Sequence, residues 1–312
     1  MHSKDIEKTS FSTKDGHYEW IRAPFGLKNM PSIFQRLMNT VMAGLTWNSC
    51  LVYIDDVIIF GRTFDEHLHR LDLVLTRIQD AHLTLNVPKC KFAMQRLEHL
   101  GHVISKDGIQ PNPVKVSAVQ GIQPPTTVKD LQRFLGLTGW FRRFIKDYAS
   151  IAAPLYELTK KKAAFTWSTS CQSAFDDLKQ RLMTEPLLIF PRLDEPFVIQ
   201  CDASDKQIGA VLLQARDGIL RPVQYLSHSL DASQQNYCIT EKECFSMYYA
   251  IQMFQKYVRG QRFVVESDHS CLQWLHKHAN QNRCLMRWSL NVSDYNFGIV
   301  YRKGNTNVAA DA

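Results

Sequence analysis

The amino-acid sequence predicts an α+β unit, a helical joint and then an α/β unit. Over residues 1–109, helices alternate with hairpins and a strand. Pro111, Pro113, Pro124 and Pro125 cluster between Gln110 and Pro125, which marks a joint. Beyond Pro186, three successive strands are followed by helix, strand, helix, strand, the order of an α/β sheet with crossover helices. The boundaries fall at 1–109, 110–185 and 186–312, and 312 residues suffice for a core in each part.

In the first unit, Pro31 suits a first helical turn, and Ile33, Phe34, Leu37, Met38, Val41, Met42 and Leu45 repeat at helical spacing, predicting a helix over 31–45. The segment before it, Phe25 to Met30, brings a glycine and a lysine to that helix N-terminus, where backbone N–H groups favour phosphate; a plain turn has the same composition. The apolar runs Cys50–Ile54 and Val57–Phe60 predict two buried strands joined at Asp55-Asp56. Thr63-Phe64-Asp65-Glu66 is a capping pattern for a helix over 64–81 built on Leu68, Leu71, Leu75 and Ile78. A strand at 83–86, Lys89 and a hairpin from Leu97 to about Ile109, turning at Asp107-Gly108, complete the unit.

In the joint, Thr127 caps a helix carrying Leu131, Phe134, Leu135, Phe141, Phe144 and Ile145 beside Arg133, Arg142, Arg143 and Lys146. That pattern suits either a core stripe with a charged back or a surface that tracks a phosphate backbone. Lys160-Lys161-Lys162 and a helix near 169–183 with Phe175, Leu178 and Leu182 follow. The last unit has strands at 197–201, 208–214 and 222–229, the latter two turned by Asp217-Gly218. A helix at 241–257, a strand at 263–266, a short helix near 270–277 and a strand at 297–301 end the chain.

Hydrophobic residues make up 45% and charged residues 21%, as in an ordinary globular protein, and the net charge of +7 is a modest bias toward polyanionic partners. The eight cysteines are scattered without a Cys-x-x-Cys pair, which excludes a disulfide framework and a zinc ribbon. His67/His69 and His276/His278 lack matching ligands and are expected at the surface. No stretch approaches the ~20 apolar residues of a membrane span, and the polar start Met1 to Lys8 has no signal core, so an intracellular protein is expected.

Adjacent carboxylates at a hairpin tip repel each other, and a divalent cation is the simplest compensation. Around Tyr53-Ile54-Asp55-Asp56 stand Gly16-His17-Tyr18-Glu19-Trp20 and Pro24-Phe25-Gly26-Leu27-Lys28-Asn29-Met30-Pro31-Ser32-Ile33-Phe34-Gln35-Arg36 on one side. On the other stand Leu83-Thr84-Leu85-Asn86, Lys89-Cys90-Lys91-Phe92 and Leu100-Gly101-His102-Val103-Ile104. In order and spacing these resemble polymerase motifs B, C, D and E of the reverse transcriptase of Ty3/gypsy-type LTR retrotransposons. The resemblance implies an α+β polymerase palm (antiparallel sheet with helices), a helical/hairpin connection or thumb, and an α/β RNase H-like domain with a mixed five-stranded sheet. It also implies that Asp55 and Asp56 bind catalytic metal, that Phe25 and Gly26 wall the incoming nucleotide, that Lys89 approaches the leaving phosphate, and that the hairpin at Gly101-His102 grips a primer end.

In the RNase H-like part, the resemblance implies Asp202, Glu243, Asp268 and Asp311 as catalytic metal ligands, in Cys201-Asp202-Ala203-Ser204, Thr240-Glu241-Lys242-Glu243, Ser267-Asp268-His269-Ser270 and after Asn307-Val308-Ala309-Ala310. Asp202 and Asp268 are expected at strand ends and Glu243 in the first turn of its helix. Glu241 competes with Glu243, which also stands at capping-box spacing from Thr240; Glu243 is preferred because the family's ligand directly precedes the Cys244-Phe245 positions. Such a set holds two Mg²⁺ ions, with Mn²⁺ as a substitute, for in-line cleavage of the RNA strand of an RNA/DNA hybrid. The implied partners are RNA/DNA hybrid, primer-template and, in the intact enzyme, dNTP.

The family pattern enters only at about Ile6 and stops at Ala312, directly after Asp311. No apolar strand with a third palm aspartate precedes Phe11-Ser12-Thr13, and no histidine lies in Tyr301-Arg302-Lys303-Gly304-Asn305. The sequence is therefore expected to be truncated at both ends and weak in polymerisation. A catalytically inactive or co-opted nucleic-acid-binding remnant is the second expectation.

Overall fold

The computed structural model describes residues 1–161, 163–184, 187–268 and 283–302. The chain falls into two units, Met1–Phe92 and Ala93–Ala312, so the region expected as the end of the palm, from Ala93 on, clusters with the second unit.

In the first unit, β1 (Phe11–Thr13) and β2 (Gly16–Tyr18) form an antiparallel hairpin. Helix α1 (Met30–Val41) is shorter than its apolar repeat because the chain turns through Gly44 at φ +81°. Met42 still enters the core from that turn, whereas Ile33 and Leu37, expected inside, are exposed. Strands β3 (Cys50–Tyr53) and β4 (Asp56–Ile59) pair antiparallel. They are half-buried rather than buried: Leu51 and Tyr53 face solvent, and Cys50 alone of β3 is fully inside. Thr63 caps α2 (Phe64–Asp80) by accepting the Glu66 N–H at 3.2 Å. Met38, Met42, Cys50, Val74 and Ile78 form the core, and Leu68 lies outside it. The strand expected at 83–86 is absent: this segment pairs with no described strand, and Val87–Lys89 is a 3-10 turn. Propensity makes a strand only where an edge is free to pair.

The second unit begins with a meander of β5 (Arg96–His99), β6 (His102–Ser105) and β7 (Gly108–Pro111). One hairpin turning at Asp107-Gly108 was expected; there are two, turning at Leu100-Gly101 and Lys106-Asp107. Leu100 and Gly101 both have positive φ (+48° and +79°), the requirement of the turn that matches strand twist. The proline-rich joint holds a further helix, α3 (Pro113–Gln120), capped by Asn112 Oδ1 accepting the Val114 N–H at 2.8 Å. Helix α4 (Val128–Trp140) was expected to reach Ile145 but stops at Phe141; a 3-10 turn (Arg142–Phe144) and Asp147 at φ +58° lead into α5 (Tyr148–Glu157), and α6 (Thr169–Met183) follows. Leu131, Phe134, Phe141, Phe144, Ile145, Phe175 and Leu178 make the core of this bundle, so its aromatic stripe is interior, with Arg133 and Arg142 exposed outside it.

The remaining strands are β8 (Phe197–Ala203), β9 (Gln207–Arg216), β10 (Ile219–Ser229), β11 (Arg262–Ser267) and β12 (Asn296–Tyr301), in the order β10-β9-β8-β11-β12. The first three are antiparallel, and β11 runs parallel to both β8 and β12, giving the mixed five-stranded sheet. Between β10 and β11 lie α7 (Ala232–Gln235), α8 (Ile239–Met253) and α9 (Gln255–Val258); the single helix expected over 241–257 starts earlier and breaks at Phe254. Helix α10 (Arg283–Val292) precedes β12 and was not expected, while the helix expected near 270–277 lies outside the described residues. Phe197, Ile199, Phe245, Ile251, Phe254, Phe263 and Trp288 pack between the sheet and these helices. No helix among the described residues is long and apolar enough to cross a membrane.

Candidate functional site

β8 and β11 lie side by side and parallel at the centre of the sheet, so residues at their C-terminal ends are neighbours. Asp202 lies inside β8, paired with Gly209, rather than at its end; Asp268 directly follows β11. Helix α8 packs against β8 and its neighbour β9 and is anchored by Ser246, whose hydroxyl donates to the Asp202 carbonyl at 2.8 Å. Glu243, one turn earlier, is thereby brought over the strand ends. It stands in the second turn of α8, not the first as expected. Carboxylate oxygens of Asp202, Glu243 and Asp268 all lie within 4.8 Å of one another.

Glu243 is only 4% exposed. Burial first, then the charges of Asp202 and Asp268, push its carboxyl up to about 8; bonds from the Ala203 N–H and the Ser267 hydroxyl act in the opposite direction. Even so, its Oε2 is buried with no hydrogen-bond partner among the described residues. Three converging carboxylates, one holding an orphaned oxygen, are electrostatically incomplete, and their all-oxygen donor set is that of a hard divalent cation. The residues present therefore fit such an ion. Behind the cluster the Cys201 thiol is fully buried and pushed well up by that burial, which keeps it an inert packing group.

The two glutamates of Thr240-Glu241-Lys242-Glu243 are separated by geometry. Glu241 Oε2 accepts the Cys238 N–H at 2.8 Å, which makes it the reach-back partner of the helix cap. The alternative role of Glu243, a capping box with Thr240, is not adopted, because α8 begins at Ile239 with Cys238 as its cap. Asp311 lies outside the described residues. Ser246 and Ser267 were not anticipated; their signal was a hydroxyl one helical turn after Glu243 and another directly before Asp268.

In the first unit, Asp55 sits in the β3–β4 turn and Asp56 opens β4 opposite Tyr53, both exposed. Ile54 adopts φ +52°, a conformation costing a β-branched residue on the order of 1–3 kcal/mol. Gln35 of α1 holds it there: its Oε1 accepts the Ile54 N–H at 2.6 Å, and its Nε2 donates to the Val52 carbonyl at 3.4 Å. A glutamine on a core-packed helix gave no warning of that role. Phe25 is fully exposed, Gly26 has φ +93° with open space where a side chain would project, and both precede α1. Lys89 is exposed at the end of its 3-10 turn.

Residues 1–104 match the family of reverse transcriptases (RNA-dependent DNA polymerases), and residues 192–295 match the RNase H-like domain found in reverse transcriptase. The whole chain is 42% identical to part of the retrovirus-related Pol polyprotein from transposon 297 of Drosophila melanogaster, and 99% of it is 36% identical to part of that from transposon gypsy of the same species. It spans 29% and 31% of those polyproteins. Among solved structures, the foamy viral protease-reverse transcriptase in complex with double-stranded DNA superposes over 97% of this chain and 54% of its own, with TM-score 0.85 at 23% identity, which shows the shared fold. A foamy viral protease-reverse transcriptase in complex with an RNA/DNA hybrid superposes over 97% of this chain with TM-score 0.80 at 23% identity. The chain therefore belongs to the Pol polyproteins of Ty3/gypsy-type LTR retrotransposons, of which it carries a reverse-transcriptase and an RNase H-like region.

Proposed function

We propose that the second unit hydrolyses the RNA strand of RNA/DNA hybrids with Mg²⁺ at Asp202, Glu243 and Asp268, Asp311 serving as the fourth ligand. The observation that carries this reading is the triad of converging carboxylates in which the buried Oε2 of Glu243 has no hydrogen-bond partner among the described residues. Bound Mg²⁺ supplies activation of a water and stabilisation of the departing 3′ oxygen. The protein's own contribution is positioning: Ser246 fixes α8 to β8, while Ser267 and the Ala203 N–H aim Glu243. The ligands are thus held before an ion arrives.

In the first unit, the same reading gives Asp55 and Asp56 the role of metal ligands for nucleotidyl transfer by the whole polyprotein. Phe25 and Gly26 stack against the incoming dNTP, and Lys89 meets its leaving phosphate. Primer-template and hybrid are the partners, which places the work inside the cell. Along the chain, residues 1–109 act as palm, 110–185 as connection and 186–312 as the nuclease.

The test is loss of end-labelled RNA from an RNA/DNA hybrid in Mg²⁺, absent in EDTA and restored by Mn²⁺. Equal cleavage with and without a divalent ion, or none in either, rejects the reading. A companion measurement separates the two glutamates. Glu241→Ala is expected to lower stability by about 1 kcal/mol through the lost cap and to leave the cleavage rate unchanged, whereas Glu243→Gln abolishes cleavage. Thermal melts and initial rates on the same preparations decide it.

A further inference from the structure

Leu188 and Ile189 are adjacent in the chain yet belong to different cores. Leu188, 1% exposed, packs in the helical bundle with Leu178 and Leu182, whereas Ile189, 8% exposed, packs in the sheet core with Phe197. The backbone is bound on both sides. Leu188 N–H donates to the Ile109 carbonyl at 3.1 Å and Ile109 N–H to the Leu188 carbonyl at 2.8 Å, adding a rung to the edge of β7. Ile189 N–H donates to the Pro222 carbonyl at 3.0 Å, at the bulge where β10 shifts register against β9. Further along, buried Gln214 directs its whole amide to the same segment. Its Oε1 accepts the Arg192 N–H at 2.9 Å, and its Nε2 donates to the carbonyls of Arg192 and Glu195 at 2.7 and 3.0 Å. Arg216 adds a bond to the Phe190 carbonyl at 3.1 Å and pairs with the Glu195 carboxylate.

A flexible linker leaves its backbone groups to water and its side chains outside any core. This one does neither. Its closest approach also dictates a residue type: a Cβ on Gly108, which has φ +142°, stands 2.1 Å from the Leu188 carbonyl oxygen. Only glycine lets β7 and the segment meet. A second attachment, the Ala149 N–H donating to Ser227 Oγ at 2.9 Å, joins α5 to β10.

We propose that residues 188–195 form a strap that welds the β5–β7 meander and the helical bundle to the acidic-cluster sheet as one body, with Gly108, Leu188 and Ile189 as positioning residues that fix where a bound hybrid is cut. This rests on the hydrolytic function proposed above. A duplex lying along both surfaces presents one phosphodiester to Asp202, Glu243 and Asp268, and successive phosphates of a strand rise at roughly 3 Å steps along the duplex axis. A strap that yields by one such step moves the cut by one nucleotide. A strap that does not yield gives a single offset.

The experiment uses the full chain and a hybrid whose DNA strand ends in a recessed 3′ terminus, with the distance from that terminus to the RNA cut read on a sequencing gel. Wild type is expected to show one dominant offset. Gly108→Ala and Ile189→Pro spread it over several nucleotides, while the rate on a long hybrid without nearby ends stays within about three-fold. A loss of stability alone would lower both rates and leave the offset where it was. Folded variants that keep the wild-type offset, or a wild type without a preferred offset, overturn the proposal. Should wild type not cleave, the hydrolytic reading fails, and hydrogen exchange on wild type then decides the strap, as it does if neither variant folds. Ile109, Leu188 and Ile189 amides exchanging as slowly as β8 and β9 support it, and exchange at the rate of open chain overturns it.

Discussion

Asp202→Asn removes hybrid cleavage by roughly a thousand-fold or more, the scale on which loss of a fixed electrostatic group at a reacting centre is felt, and it leaves the protein folded. Asn has nearly the volume of Asp and keeps one oxygen, but it takes a formal charge out of a set that must balance a divalent ion. The backbone around the position does not depend on that charge. Ser246 bonds the Asp202 main-chain carbonyl, and the β8–β9 pairing at Asp202 and Gly209 is a matter of strand register. In the metal-free protein the same change relieves Glu243 of one of the two charges that raise its pKa. The substitution is therefore expected to raise the melting temperature at neutral pH while abolishing turnover, and to weaken the stabilisation that Mg²⁺ gives. Calorimetry with and without Mg²⁺, beside initial cleavage rates, checks all three. Turnover near the wild-type rate would falsify the role given to Asp202.

Titration of Glu243 makes the metal-free protein lose stability as pH rises, opposite to the usual behaviour of a native carboxylate and to that of His102 and His228, which burial holds below the ordinary histidine value. Glu243 has its folded pKa at about 8, above its ordinary value of 4.5. Its protonated form thus favours the folded state. That contribution is complete below the unfolded value of 4.5 and is lost as pH climbs through about 8. Between pH 5 and pH 9 the expected loss from this group is on the order of 4 kcal/mol, or roughly 8–16 °C in Tm for a unit of this size. A bound divalent ion reverses the sign: it binds the ionised set, so its stabilisation grows with pH and the melting curves with and without Mg²⁺ separate most at alkaline pH. Glu243→Gln removes this titration, and its metal-free Tm should no longer fall across the same range. A wild-type Tm rising steadily from pH 5 to pH 9 without metal is incompatible with this account.

Local chemistry was legible wherever a residue's neighbours in sequence are its neighbours in space. The two apolar runs around Asp55-Asp56 can pair only with each other, so their hairpin followed directly; Thr63 and Thr127 sit at the starts of α2 and α4 because a cap needs only the next turn of chain. The order of strands and helices after Pro186 sufficed for an α/β unit. Apolar periodicity failed where its partner was remote. Leu83 to Asn86 carries a strand composition without an edge to join, and the stripe through Phe141, Phe144 and Ile145 hides a break, since all three reach one core from a turn as well as from a helix.

What the sequence by itself determined is the family and the secondary elements on which Asp55, Asp56, Asp202, Glu243 and Asp268 stand, because motif order, capping and alternation are encoded over a few residues at a time. What only the tertiary structure decided is that Glu243, which the resemblance already preferred, comes within reach of Asp202 and Asp268 while Glu241 closes the helix cap, that its second oxygen has no donor among the described residues, and that Leu188 and Ile189 join two cores. Glutamates two positions apart on one helix point about 200° apart around its axis. Which of them meets a strand end is set by how α8 lies across the sheet, and no local pattern contains that crossing.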